Sequence, residues 1–196
     1  MGMRRSQPVW PIYQLKITLR GTRPPIWRRI HVASTTTLSE LHDLLQAVMG
    51  WSDSHLHQFV KGRTLYGIPH PDVDISYVPE DSVQLLDVLR KPKDKILYEY
   101  DFGDSWEHDV VLERALHSDP EVVYPFCLAG RGACPPEDCG GVGGFYHLLH
   151  VLRDQLHPEH DDLAGWVGSR FDPEAFNVDE INRDIQPKRR TMRRRV

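Results

Sequence analysis

Cysteine is scarce in this chain: there are three among 196 residues, all between positions 127 and 139. An odd number of thiols in one short stretch builds no disulfide framework and fits a reducing compartment, so a cytoplasmic location is expected. There is no C-x-x-C redox pair and no G-x-S-x-G elbow, which argues against dithiol exchange and covalent serine hydrolysis. No run approaches the roughly 18 apolar residues that cross a bilayer. The first residues, MGMRRSQPVWPIYQL, hold no apolar stretch with a small-residue cleavage site. No membrane partner is expected. Charge of one sign is also missing: 24 basic against 28 acidic side chains give a formal −4, too balanced for a histone-like or polybasic protein.

What is present is an ordinary globular composition, 40% hydrophobic and 27% charged, long enough for one domain with elaborations. Residues 12–20 alternate Tyr13, Leu15, Ile17 and Leu19 against Gln14, Lys16, Thr18 and Arg20, the period of a strand with one buried face. After a turn over 21–25, Ile26, Arg28, Ile30 and Val32 alternate with Trp27, Arg29 and His31, so a hairpin partner follows. Thr37 and Glu40 form a capping box ahead of Leu38, Leu41, Leu45, Val48 and Met49, which predicts a helix over 38–49 closed by Gly50. Shorter strands are expected at 55–60 and 64–66, then an irregular loop to 81, with 83–89 too short to type. A second hairpin, 96–102 with 106–113, turns around Gly103-Asp104-Ser105. The stretch from 120 to about 143 packs prolines, glycines and all three cysteines without periodicity and reads as a structured loop or linker. Helical spacing returns over 143–156, and a last helix is expected within 172–185. The expectation is an α+β fold: a β-grasp-like mixed sheet over 10–118 packed against one main helix. Over 119–186 the Cys/Pro/Gly loop and C-terminal helices pack on the same domain, and 187–196 form a basic tail, expected to be disordered.

Chemistry concentrates in Asp101 to Asp109 (DFGDSWEHD). On a strand, Trp106, His108, Val110 and Leu112 share one face while Glu107, Asp109 and Glu113 share the other. His108 therefore points with the apolar residues. It is either a core histidine satisfied by a backbone carbonyl, or one held by Asp101 or Asp104 and poised as acid, base or ligand. Cys127, Cys134 and Cys139 could complete a tetrahedral zinc site with His108, His147 or His150 as fourth ligand; ordinary small buried residues are the alternative. His55 and His57, two apart on a strand, could chelate a metal or simply lie on a polar face. The glycine run 140–144 resembles a phosphate cradle loosely but lacks the lysine of a P-loop, so it reads as a helix entry. Arg28 and Arg29 beside Trp27 suit an anionic or stacking partner, or else guard an edge strand. Six basic residues of the tail offer contacts to phosphates, or serve only as a solubilising end.

Three segments, IYQLKITLRGTRPPIWRRI, YEYDFGDSWEHDVVLE and CLAGRGACPPEDCGG, together resemble the plasmid pRiA4b ORF-3-like family over residues 11 to about 185. The resemblance implies an α+β domain carried on plasmids and transposons, with no established activity. A resolvase role does not follow, because neither a serine-recombinase nor a tyrosine-recombinase residue set is present. The family's motif positions here are Pro25, Trp27, Arg28, Asp101, Gly103, Asp104, Trp106, His108, Cys134, Pro135, Pro136, Glu137, Asp138, Cys139 and Gly140. They imply a binding site made of Trp27, Arg28, Asp101, Asp104, Trp106, His108, Glu137 and Asp138, with the turn at 103–105 and the PPEDCGG loop folded together. The expected function is a non-enzymatic protein- or nucleic-acid-binding module of mobile elements. The alternative is a metal-dependent hydrolase or nuclease using His108, Asp101, Asp104 and Glu137 or Asp138.

Overall fold

The alternating segments become neighbouring strands because each must hide one apolar face. In the computed structural model, which describes residues 11–69, 76–168 and 171–186, β1 (Ile12–Leu19) pairs antiparallel with β2 (Trp27–Ala33), Leu15 opposite Ile30. The other edge of β1 pairs antiparallel with β7 (Trp106–Leu116), and β7 with β6 (Lys95–Tyr100), closing the predicted second hairpin. Beyond β6 lie β3 (His57–Lys61), β4 (Thr64–Gly67) and the two-residue β5 (Val78–Pro79), which runs parallel to β4. With β8 (Phe126–Arg131) outside β2, the order is β5-β4-β3-β6-β7-β1-β2-β8, one mixed eight-stranded sheet.

The core face carries Leu15, Ile17, Ile30, Tyr98, Trp106 and Val110, all at or near zero exposure. Helix α1 (Leu38–Met49) covers it, and burying Leu38, Leu41 and Leu45 completely contributes about 1.5–3 kcal/mol each. Its capping box is formed: Glu40 N–H donates to Thr37 Oγ1 at 3.1 Å and Thr37 N–H to Glu40 Oε2 at 2.9 Å. Gly50, at φ 86°, takes the left-handed conformation that ends the helix. The untyped 83–89 segment yields one turn, α2 (Leu85–Val88), which follows a short 3-10 turn at Glu80–Ser82.

The second half departs from the sequence reading in three places. Residues 126–131, read as loop, form β8 against β2; its register shifts between Arg29 and Ile30, which breaks the alternation that would announce a strand. Helix α3 (Gly141–Arg153) stops short of 156, and α4 (His160–Val167), which the sequence reading did not anticipate, follows it. Helix α5 (Val178–Ile185) occupies only the second half of the expected 172–185 span, because Asn177 caps it with a side chain that accepts from the N–H groups of Asp179 and Glu180. Asn182 of α5 faces the outer edge of β8: its Oδ1 accepts from Cys127 N–H at 2.7 Å and its Nδ2 donates to Cys127 O at 2.9 Å. The basic tail falls outside the described residues.

Candidate functional site

Three loops converge at the end of the sheet where β6 finishes and β7 begins. The first, 51–56, leaves α1; the second is the 101–105 turn; the third is the proline-cysteine loop leading to α3. Trp51 Nε1–H donates to Pro135 O at 3.0 Å, and Tyr100 O–H donates to Glu137 Oε1 at 2.5 Å. Glu137 also accepts from Ser52, N–H at 3.1 Å and Oγ–H at 2.5 Å, while Gly140 N–H donates to Asp104 Oδ2 at 3.2 Å. The turn and the PPEDCGG loop therefore touch, through the 51–56 segment as well as directly. Partial burial raises the Glu137 pKa, but the bonds from Ser52 and Tyr100 outweigh it and hold the carboxyl below its ordinary value. Tyr100 moves up, through burial first and then its bond to Glu137.

The glycines here are spacers. Gly141, at φ 67°, brings its Cα so close to Asp104 that an added Cβ would stand 2.5 Å from the Asp104 carbonyl oxygen, and at Gly144 a Cβ would overlap the Cys139 carbonyl. They let α3 start against the turn, which explains the run better than a phosphate cradle does.

At the centre, His55 Nε2 lies 3.0 Å from Asp138 Oδ1 and 3.7 Å from Asp101 Oδ2. The nitrogen is buried yet makes no well-directed hydrogen bond, so these are close approaches rather than bonds along the N–H axis. The ligand atoms of His55, Asp101 and Asp138 all fall within 4.8 Å of one another. Asp101 and Asp138 hold left-handed backbones, φ 57° and 59°, and Asp101 Oδ1 accepts from Gly103 N–H at 2.9 Å. Aspartate tolerates that region better than most residues because its short side chain bonds the local backbone.

The sequence profile of plasmid pRiA4b ORF-3-like proteins matches residues 11–180. This chain belongs to the pRiA4b ORF-3-like family. It is similar to the uncharacterized protein y4hQ of Sinorhizobium fredii, 36% identical over 178 residues, 89% of this chain and 90% of that one. It is also similar to a crystal structure from Methanosarcina mazei Go1, the protein of unknown function MM3350. That likeness has a TM-score of 0.81 at 38% identity and covers 89% of this chain and 98% of the other.

Not every residue that carries the pRiA4b ORF-3-like motifs reaches this site. Trp106 and His108 are at 0% exposure, inside the core. His108 is bonded to neither Asp101 nor Asp104: its Nδ1 lies 3.0 Å from the Trp106 carbonyl oxygen, so that nitrogen carries the proton, and Nε2 meets no partner among the described residues. Burial pushes its pKa down to about 4, against the bonds to backbone carbonyls. Of the two readings of His108, this geometry is that of the core histidine satisfied by a backbone carbonyl.

Trp27 and Arg28 sit on opposite faces of β2. Trp27 is outside with Lys16 and Arg29 over its ring, at 5.3 and 5.1 Å. Arg28 is 3% exposed, donating to the carbonyls of Val48, Trp27 and Arg131 at 2.9, 2.9 and 3.1 Å and stacking 5.0 Å from the Phe176 ring. The alternation already placed Arg28 with Ile26 and Ile30, so its guanidinium fastens the end of α1 to β8 instead of facing a ligand. Arg28→Met removes a donor from three carbonyls, at about 1–3 kcal/mol for each that neither the ladder nor water can satisfy. A loss of about 3 kcal/mol in urea unfolding is expected; an unchanged midpoint would show that the guanidinium holds nothing.

Cys127 and Cys134 both lie near the Arg28 guanidinium and Cys134 near Cys139, but the three thiols do not reach ligand spacing together. Among the described residues, the two groups of three or more metal-ligating side chains with atoms within 4.8 Å contain no cysteine and not His108. Cys127 is held on β8, its Sγ 3.6 Å from Ala129 O, while Cys139 Sγ lies 3.9 Å from Gly141 O. Burial raises all three thiols, Cys139 to about 12. His147 is occupied with Glu159 at 3.2 Å.

Sequence reasoning missed the 51–54 segment, Tyr100 and the pair His42 and Gln46. The last two left a signal: they fall among Leu38, Leu41, Leu45 and Met49 on the apolar arc of α1, where a polar side chain demands partners. His55 and His57, read as one chelating pair, separate into two groups because His55 precedes β3.

Proposed function

We propose that this protein is a non-enzymatic binding module, of the mobile-element kind suggested by the plasmid in its family's name, acting in the cytoplasm on a protein partner. The body is β-grasp-like in having one main helix across a twisted sheet, and the three-loop face is its recognition surface. The observation that carries this reading is two large apolar side chains standing out among carboxylates. Leu56 and Phe102 are 70% and 44% exposed, and Asp101 N–H donates to Leu56 O at 2.9 Å, so they flank the same aspartate. Asp138, with its side chain 70% exposed, and Asp104 lie beside them. Exposed apolar residues ringed by charge mark interaction sites, and the acidic ring selects a basic segment while repelling phosphates. A protein partner is favoured over nucleic acid for that reason.

The test is fluorescence anisotropy with a labelled peptide of alternating arginine and leucine, against glutamate–leucine and duplex DNA probes of equal length. Salt-sensitive binding to the first alone is expected, weakened at least about tenfold by Phe102→Ser with Asp104→Asn. Equal binding of the glutamate peptide or of DNA would sink the reading.

A metal-dependent hydrolase is the second reading, favoured by one arrangement: the convergence of His55, Asp101 and Asp138, which would take the role the sequence suggested for His108. It requires manganese-dependent cleavage of bis(p-nitrophenyl) phosphate that Asp101→Asn removes.

A further inference from the structure

Helix α1 buries His42 and Gln46 at 4% and 5% exposure, and their partners form one connected set. Gln46 Nε2 donates to Tyr98 Oη at 2.9 Å while its Oε1 accepts from Asp53 N–H at 3.0 Å. Tyr98 Oη lies 2.8 Å from His42 Nδ1, and His42 Nε2 lies 2.9 Å from Asp53 Oδ1. The His57 ring stacks on His42, centroids 3.5 Å apart and planes within 6°, and its own Nε2 is 2.9 Å from Glu80 Oε2. The His57 and Glu80 side chains are 5% and 6% exposed. Two imidazoles and the Glu80 carboxyl are nearly dry, with the half-exposed Asp53 carboxyl at the mouth, and such groups are costly to bury unless their charges are matched.

We propose that His42, His57, Asp53 and Glu80 form a binding site for a divalent transition-metal ion of the zinc class, separate from the three-loop face.

The donor spacing supports this. The ligand atoms of His42, Asp53 and His57 fall within 4.8 Å of one another, with Glu80 at hydrogen-bond distance from His57. Ligands at 2.0–2.1 Å from a tetrahedral ion stand roughly 3.3 Å apart, so the 2.9 Å His42–Asp53 and His57–Glu80 contacts open by a few tenths of an ångström, while one ring leaves the parallel stack and Glu80 swings in toward the other three donors. Charge agrees: two carboxylates cancel a dication while both imidazoles stay neutral. The ligand types agree as well, since two imidazole nitrogens select zinc-like ions over magnesium or calcium. Tyr98 and Gln46 supply the outer support that ligating histidines require. In the metal-free protein Tyr98 O–H donates to His42 Nδ1, because Gln46 already donates to Tyr98 Oη, and His42 Nε2–H donates to Asp53; an ion on Nε2 requires that proton to move to Nδ1. An open cleft of 590 Å³ bordered by all four residues gives the ion a route in.

The experiment uses the full chain without an affinity tag, stripped with EDTA and titrated with zinc against a chromophoric chelator, with cobalt absorption reporting coordination. One equivalent is expected, with the intense visible bands of a four-coordinate cobalt site, and His57→Asn should weaken zinc at least about a hundredfold. Glu80→Gln keeps the shape and a hydrogen bond to His57, so it serves where the histidine change disturbs folding; about tenfold weakening is expected, with an unchanged circular dichroism spectrum. His55→Ala should bind as the wild type does, which separates this site from the His55, Asp101 and Asp138 group. A wild type that retains no zinc overturns the proposal, and so does affinity equal to wild type in both His57→Asn and Glu80→Gln. Peptide binding by the metal-free protein is read separately, so either idea can fail without the other.

Discussion

Trp51→Ala is expected to cost about 3–5 kcal/mol of folding free energy, the usual range for emptying a buried tryptophan site. Trp51 is 8% exposed, stacks 5.0 Å from Tyr100, and meets Trp106 and His108 at 5.9 and 5.3 Å. Its indole N–H is also the bond to Pro135 that fixes the third loop. The alanine variant should therefore unfold at lower urea and, while still folded, be cut by protease within 132–140 faster than the wild type. Trp51→Phe keeps most of the ring contact and loses the donor, so about 1–2 kcal/mol is expected, the worth of the stranded Pro135 carbonyl. A Trp51→Ala midpoint within about 0.5 kcal/mol of wild type would mean that loop and core are not coupled through this ring.

The second large effect is a loss of stability between pH 6.5 and about 4. His108 has its pKa pushed down to about 4 in the folded protein, with burial the leading cause, whereas the unfolded chain titrates near the ordinary 6.5. As pH falls through 6.5 the unfolded state takes the proton and the folded state refuses it, so unfolding becomes easier with each step down. The effect is absent above 6.5, grows to about 3 kcal/mol near pH 4, and stops growing once the folded form protonates too. His31, also lowered by burial, adds in the same direction. Asp109 and Glu113, lowered chiefly by bonds to Arg20 and Arg29, contribute below that window, as pH falls through and beneath the ordinary carboxylate range. Urea unfolding at pH 7 and pH 4.5 measures the difference, and His108→Phe should flatten most of the slope. If that variant keeps the full pH dependence, protons are being taken up elsewhere.

What could be read from the sequence was local or periodic. The Thr37 and Glu40 cap lies within four residues, and the alternation through β1, β2 and β7 set their faces correctly, even placing Arg28 and His108 inward. The same alternation that places a polar residue inward also removes it from solvent, which favours the core reading of His108 over the ligand one. The meeting of the 103–105 turn with the PPEDCGG loop was inferred from motif order, and bonds from Gly140 to Asp104 and from Tyr100 to Glu137 join those segments. Residues 51–54 could not be found in that way, because Ser52 gains its role only from a glutamate 85 positions away. Strand β8 was hidden by its bulge and by Gly130, which carries no side chain to alternate and whose backbone Phe176 covers.

The two bonds between Asn182 and Cys127 imitate one rung of a ladder, with a side-chain amide standing where a ninth strand's backbone would. A sheet margin so plugged offers no template to a stray extended chain, and the opposite margin is only two residues long. The two margins are thus guarded differently, one by an amide on a helix at Cys127 and the other by a two-residue strand that ends in Pro79.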